Sequence, residues 1–173
     1  MNENLIAFKA ALSAAITALS LFLGWKGVMA VAWIAVMLLD YVTGTAAAWR
    51  TGTWCSNVAR DGLWHKGGMI AVVFVAGLAD IVITVIGAHL PLGFSWPGLL
   101  LPLVLAWYII TELGSILENA VKMGANVPSW LTKALKISLK AVDDVAETTV
   151  DEIEAVEDVI RIDETEEGTA DGS

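Results

Sequence analysis

The chain has 173 residues, 57% of them hydrophobic and 17% charged, with a mean hydropathy of +0.68. A soluble domain carries about 45–50% apolar and about 25% charged residues, so this balance excludes an ordinary soluble globule. The net charge of −9 divides unevenly: residues 1–142 hold 9 Lys/Arg against 6 Asp/Glu, and residues 143–173 hold 1 against 13. A basic-flanked apolar body thus precedes an acidic tail. The few, dispersed basic residues argue against a nucleic-acid partner.

In chain order, four apolar blocks predict transmembrane helices over 5–24, 27–49, 67–89 and 98–117. Each is long enough to cross a hydrocarbon core of ~30 Å at ~1.5 Å per residue. The first is not a signal peptide by pattern, since Lys9 lies within the apolar run and acidic Glu3 precedes it. Ala7, Ala11 and Ala15, with Ala10, Ala14 and Ala18 beside them, give that block a smooth face suited to close helix approach. GWKG and PLGFSWPG (91–98) read as short connections, and TGTWCSNVARDGLWHK (51–66) as the one true loop.

The expected fold is therefore an all-α integral membrane protein with about four transmembrane helices, three being the alternative. Residues 1–127 form the membrane domain. Gly124 is placed to end the last span, and Ser129 to cap an amphipathic, acidic helix over 128–162. Leu135, Leu139, Val142, Ala146, Thr149, Ile153, Val156 and Ile160 repeat at 4-3 spacing, a seam just long enough to suggest a coiled coil. Residues 163–173, DETEEGTADGS, read as disordered.

Basic residues orient the spans. Four spans with both termini in the cytoplasm place Lys9, Arg50, Arg60, Lys66, Lys122, Lys133, Lys136 and Lys140 inside and Lys26 outside, as the positive-inside rule prefers. Trp25, Trp49, Trp54, Trp64, Trp96 and Trp130 fall at span ends, where indoles anchor to the membrane interface; Trp33 and Trp107 fall mid-span and read as packing residues.

Three carboxyls lie deep in the spans: Asp40, Asp80 and Glu112. A charged aspartate at the centre of a span costs roughly 2.5–3.5 kcal/mol on insertion scales. With span midpoints as reference, Asp40 and Asp80 come within ~3 Å of the bilayer centre and Glu112 about 7 Å toward the cytoplasm. No lysine or arginine shares that depth, so the carboxyls are expected to be protonated, hydrogen-bonded or facing water. Asp40, Gly44 and Ala48 share a stripe, Thr84 follows Asp80, and Tyr108, Glu112, Ser115 and Asn119 form a polar ridge. Static hydrogen bonding within one bundle, an oligomeric interface and a pore lining are all compatible with these faces.

Enzyme constellations are not legible. His65 and His89 fall on opposite sides of the membrane, Cys55 has no partner at metal-ligand spacing, and no phosphate loop is present. Catalytic residues, cofactors and metals are accordingly not assigned. An intramembrane hydrolase would need Asp40 and Asp80 to face each other and share a proton.

Several motifs carry a family resemblance: LLDYVTG (38–44), the loop WCSNVARDGLWHK (54–66) with Gly62 and Lys66 in its G-x-x-x-K ending, LAD (78–80), and YIITELGSILENAVKMGANVPSWLTKAL (108–135). In that order the chain resembles the toxin-secretion/phage-lysis holin family. His65 stands where the family usually has a second basic residue. The resemblance implies a homo-oligomer in the bacterial cytoplasmic membrane that opens lesions and times host lysis. An endolysin would be its functional partner, without necessary direct contact. An antiholin would share every motif, and a small channel or transporter is the other class left open.

Overall fold

A computed structural model describes the backbone of residues 3–89 and 96–170, and side chains chiefly over 24–89 and 96–155. Regular structure among the described residues is helical throughout: α1 (Glu3–Thr51), α2 (Ser56–His89), α3 (Leu100–Lys122) and α4 (Ser129–Ala170).

α1 joins the two blocks expected to be separate spans. Its break is Gly24, at φ 67° and ψ 179°, a backbone conformation glycine adopts freely and residues with a Cβ resist. Helix resumes at Trp25, so GWKG is a kink and not a loop. Among the described residues, three segments are long and apolar enough to cross a membrane: Gly24–Thr51, Ala59–His89 and Leu100–Lys122. The alanine face of residues 7–18 lies largely outside the described side chains.

α2 starts well before the expected position 67. The stretch 56–66 looks like a loop by charge, yet its polar groups serve a helix. Arg60 Nη2 donates to Asn57 Oδ1, three residues back, at 2.8 Å. Only residues 52–55 separate α1 from α2.

α3 is the central element. It packs against each of the other three helices, and among the described residues α4 touches no helix except α3. Trp33, Met37, Met69 and Leu105 form the buried core, with Tyr108 and Ile109 against it. Large apolar side chains cover the outside of α1 and α2 instead: Leu38, Val42, Phe74, Val75, Leu78 and Ile81 are all exposed. Such a surface suits hydrocarbon, where an outward-facing leucine meets a solvent like itself.

Gly124, at φ 92°, ends α3 in a Schellman arrangement: Ala125 N–H donates to Ala120 C=O at 2.9 Å and Gly124 N–H to Val121 C=O at 2.8 Å. α4 then runs back antiparallel to α3. Leu135 and Leu139 line a groove with Ile110, Gly114 and Leu117, and further along Trp107 Nε1 donates to Asp143 Oδ1 at 3.1 Å. The seam positions through Ile153 form the less exposed face of α4, and the first of them meet α3 rather than a second tail. Val156 and Ile160 lie outside the described side chains. Helix continues to Ala170, past the expected end at 162.

Candidate functional site: two buried polar layers

The inward stripe of α2 is Lys66, Met69, Val73, Ala76 and Asp80, at 3-4-3-4 spacing, with a charged residue at either end. That spacing keeps all five on one face of a helix. Lys66, Met69, Ala76 and Asp80 are buried. Around the two ends, α1 and α3 supply complementary groups, and the result is a polar layer at each end of an apolar core.

In the first layer Lys66 is the hub. Its Nζ donates to Glu112 Oε2 at 2.7 Å and to Asp40 Oδ2 at 3.1 Å. Side-chain exposures of 10% for Lys66, 19% for Asp40 and 6% for Glu112 place the trio largely out of solvent. Asn119 Nδ2 donates to Asp40 Oδ1 at 3.1 Å. A carboxylate oxygen accepts, so the amide nitrogen is the end that faces it. Thr43 Oγ1 lies 3.4 Å from the same nitrogen and donates to Asp40 C=O at 3.1 Å. Gly44 makes room for this approach, since a Cβ there would stand 3.4 Å from Asn119 Nδ2.

The expectation that no lysine could reach the carboxyls is therefore corrected. Lys66 is a buried counter-ion on α2 and not an interfacial loop residue, because the helix begins ten positions earlier and carries it inward. Both Asp40 and Lys66 also line an open cleft of about 200 Å³ between α1 and α2, walled by Gly44, Ala48, Ala59 and Gly62.

In the second layer Asp80 caps a helix to which it does not belong. Its Oδ1 accepts from Trp96 Nε1 at 2.8 Å and from Leu100 N–H at 3.0 Å, and its Oδ2 accepts from Leu101 N–H at 3.0 Å. Leu99, the cap residue of α3, has no side-chain acceptor to offer. The remaining first-turn donors are accounted for: Pro102 has no N–H, and Leu103 N–H donates to Leu99 C=O at 3.1 Å. A carboxylate is favoured there by the partial positive charge of the helix N-terminus. Lys26 Nζ donates to Gly98 C=O at 2.6 Å. Gly98 has φ 71°, and a Cβ on it would come within 2.5 Å of that ammonium nitrogen, so the turn requires glycine.

Three separations agree on the spacing of the layers. Lys26 to Asp40 and Lys66 to Asp80 are each 14 positions, and Leu100 to Glu112 is 12, or ~18–21 Å at the helical rise. Asp40 and Asp80 are thus on the order of 20 Å apart along the bundle, in different layers. The shared depth read from span midpoints does not hold, because α2 overruns its span and shifts the reference. A proton shared between the two aspartates is ruled out by the same separation.

The other predicted residues divide. Tyr108 lies between the layers, stacked on Trp33 with ring centroids 6.2 Å apart. Ser115 turns away from Glu112 and Asn119 into the groove under α4. Thr84 spends its hydroxyl on the Asp80 carbonyl at 2.7 Å. Of the tryptophans expected at the interface, Trp25, Trp49, Trp54, Trp64 and Trp130 are exposed, whereas Trp96 is buried against Asp80. Sequence reading missed Lys26 and Trp96 as partners of the second layer. The charged ends of the α2 stripe were the available signal for Lys66. Among the described residues, no cluster of three His, Cys, Asp or Glu is placed to hold a metal ion.

Membrane-length helices, a lipid-compatible exterior and, among the described residues, ion pairs buried inside the bundle define a multi-pass membrane protein. The sequence profile of the bacteriophage holin family matches residues 17–140, and the chain belongs to that family, which is not an enzyme family. An uncharacterised protein of Halalkalibacterium halodurans is 33% identical over 135 residues, covering 78% of this chain and 94% of the relative. An uncharacterised protein of Clostridium perfringens is 31% identical over 100 residues, 58% of this chain and 67% of its own length. One from Listeria monocytogenes is 28% identical over 104 residues, 60% of this chain and 66% of its own. No solved structure matches the chain.

Proposed function

We propose that this protein is a lysis-timing holin: it accumulates in the bacterial cytoplasmic membrane, self-associates, and opens lesions through which a cytoplasmic cell-wall hydrolase reaches its substrate. Family membership over residues 17–140 is the observation that carries the reading. The two polar layers support it. Lys66 with Asp40 and Glu112 at one end, and Asp80 on the α3 N-terminus at the other, hold three apolar helices in one register without exposing charge to lipid. A protomer built this way can reside in the bilayer at high density before it acts.

Assembly requires faces that exchange partners, and the cleft between α1 and α2 beside Asp40, Gly44 and Gly62 is a partly polar one open to a second copy. Arg50, Arg60 and Lys122 gather at the end of the bundle near Lys66, so that end is assigned to the cytoplasm.

The test is co-expression with an endolysin in a bacterial host while membrane potential and turbidity are followed. The wild-type protein should depolarise the membrane and then permit lysis at a reproducible time. Asp40→Asn, Asp80→Asn and Glu112→Gln should each shift that time. Unchanged timing in all three would refute a role for the polar layers, and a chain that never depolarises the membrane alone would be an antiholin or regulator.

A further inference from the structure

The position of α4 creates a conflict that water alone resolves. Trp107 lies between the two polar layers, seven residues from the start of α3, well inside the membrane-length segment Leu100–Lys122. Asp143 accepts from its indole at 3.1 Å, and Leu135 and Leu139 line a groove with Ile110, Gly114 and Leu117 on the way there. The first half of α4 therefore lies alongside a membrane-spanning helix. Its opposite face carries Lys133, Lys140, Asp144 and Glu147, all exposed. No other described helix covers that face.

Lipid cannot face it either, since four ionised side chains in hydrocarbon, with no partner on a neighbouring element, would each carry an insertion penalty. The remaining neighbour is water. The bundle is two-sided in the same sense: α1 and α2 turn Leu38, Val42, Phe74, Val75, Leu78 and Ile81 outward, and α4 lies on a side of α3 that neither occupies.

We propose that α4, folded back along α3, is the water-facing wall of the assembled lesion. Copies arranged with α1 and α2 toward lipid and α4 inward enclose an aqueous lumen lined by basic and acidic rings, Lys133 and Lys140 toward the cytoplasm and Asp144 and Glu147 deeper. The inference rests on the holin reading and adds to it the identity of the lining element.

Currents through the full-length protein in planar bilayers under a potassium chloride gradient test it. Asp144→Asn with Glu147→Gln should move the zero-current potential toward that of chloride, and Lys133→Gln with Lys140→Gln should move it toward that of potassium. Both pairs are exposed and lie outside the groove against α3, so folding is retained and conduction persists. Opposite shifts establish the lining. Wild-type conduction with the same zero-current potential in both variants overturns the α4 assignment while leaving the holin reading intact. No wild-type conduction overturns the holin reading itself, and the lining with it.

Discussion

Lys66 shows how strongly a single residue depends on its surroundings. One ammonium serves two carboxyls, at 2.7 and 3.1 Å, and removing it strands both. Breaking a buried pair from one side costs about 3–5 kcal/mol, because the uncompensated charge stays behind. Lys66→Met should therefore lose stability of that order in detergent unfolding. Pairing it with Glu112→Gln should recover part of the loss, and a strictly additive double variant would show that the two side chains do not interact. Asp80 is the counterpart at the other layer. Asp80→Asn keeps one acceptor oxygen for three donors, so a cost of about 1–2 kcal/mol is expected. Hydrogen exchange should quicken at the Leu100 and Leu101 amides before it does elsewhere in α3.

At the level of elements, glycine and periodicity decide most of what happens. Gly24 breaks α1 without a loop, and Gly98 and Gly124 bound the ends of α3 through positive φ. Gly44 acts through space. The 3.4 Å between its absent Cβ and Asn119 Nδ2 leaves room for a methyl after a small shift, but not for a branched chain. Gly44→Val should push α1 from α3, break the Asn119–Asp40 hydrogen bond and cost about 1–3 kcal/mol, read as a lower detergent melting temperature; Gly44→Ala should stay close to wild type. The α2 stripe was open to inspection as a 3-4 pattern from Lys66 to Asp80. It was obscured because Lys66 stands beside Arg60, Asp61 and His65, a charged stretch that reads as loop when hydropathy alone marks the helix start.

For the molecule as a whole, orientation is the property most directly checked, and the chain supplies its own probe. Cys55 is its single cysteine and is exposed between α1 and α2. A membrane-impermeant maleimide added to intact cells before triggering should leave Cys55 unlabelled, and a permeant one should label it. His89→Cys in a Cys55→Ser background should show the reverse. External labelling of Cys55 would invert the proposed topology.

Composition, block length and the placement of basic residues were enough to read a helical, multi-pass membrane protein, and the ordered motifs over 38–135 were enough to read its family. These are properties of short windows: an apolar run of sufficient length has few places to go other than a bilayer. Pairing is not a property of windows. Whether Asp40 meets a lysine, whether Asp80 caps another helix, and whether the acidic tail stands apart or lies along α3 depend on depth, and depth depends on where each helix begins relative to its neighbours. An early start for α2 carried Lys66 into the bundle. Asp40 and Asp80, which looked alike by span midpoint, went to separate layers because hydrogen bonds and charge, acting over a few ångströms, select one register of the three helices.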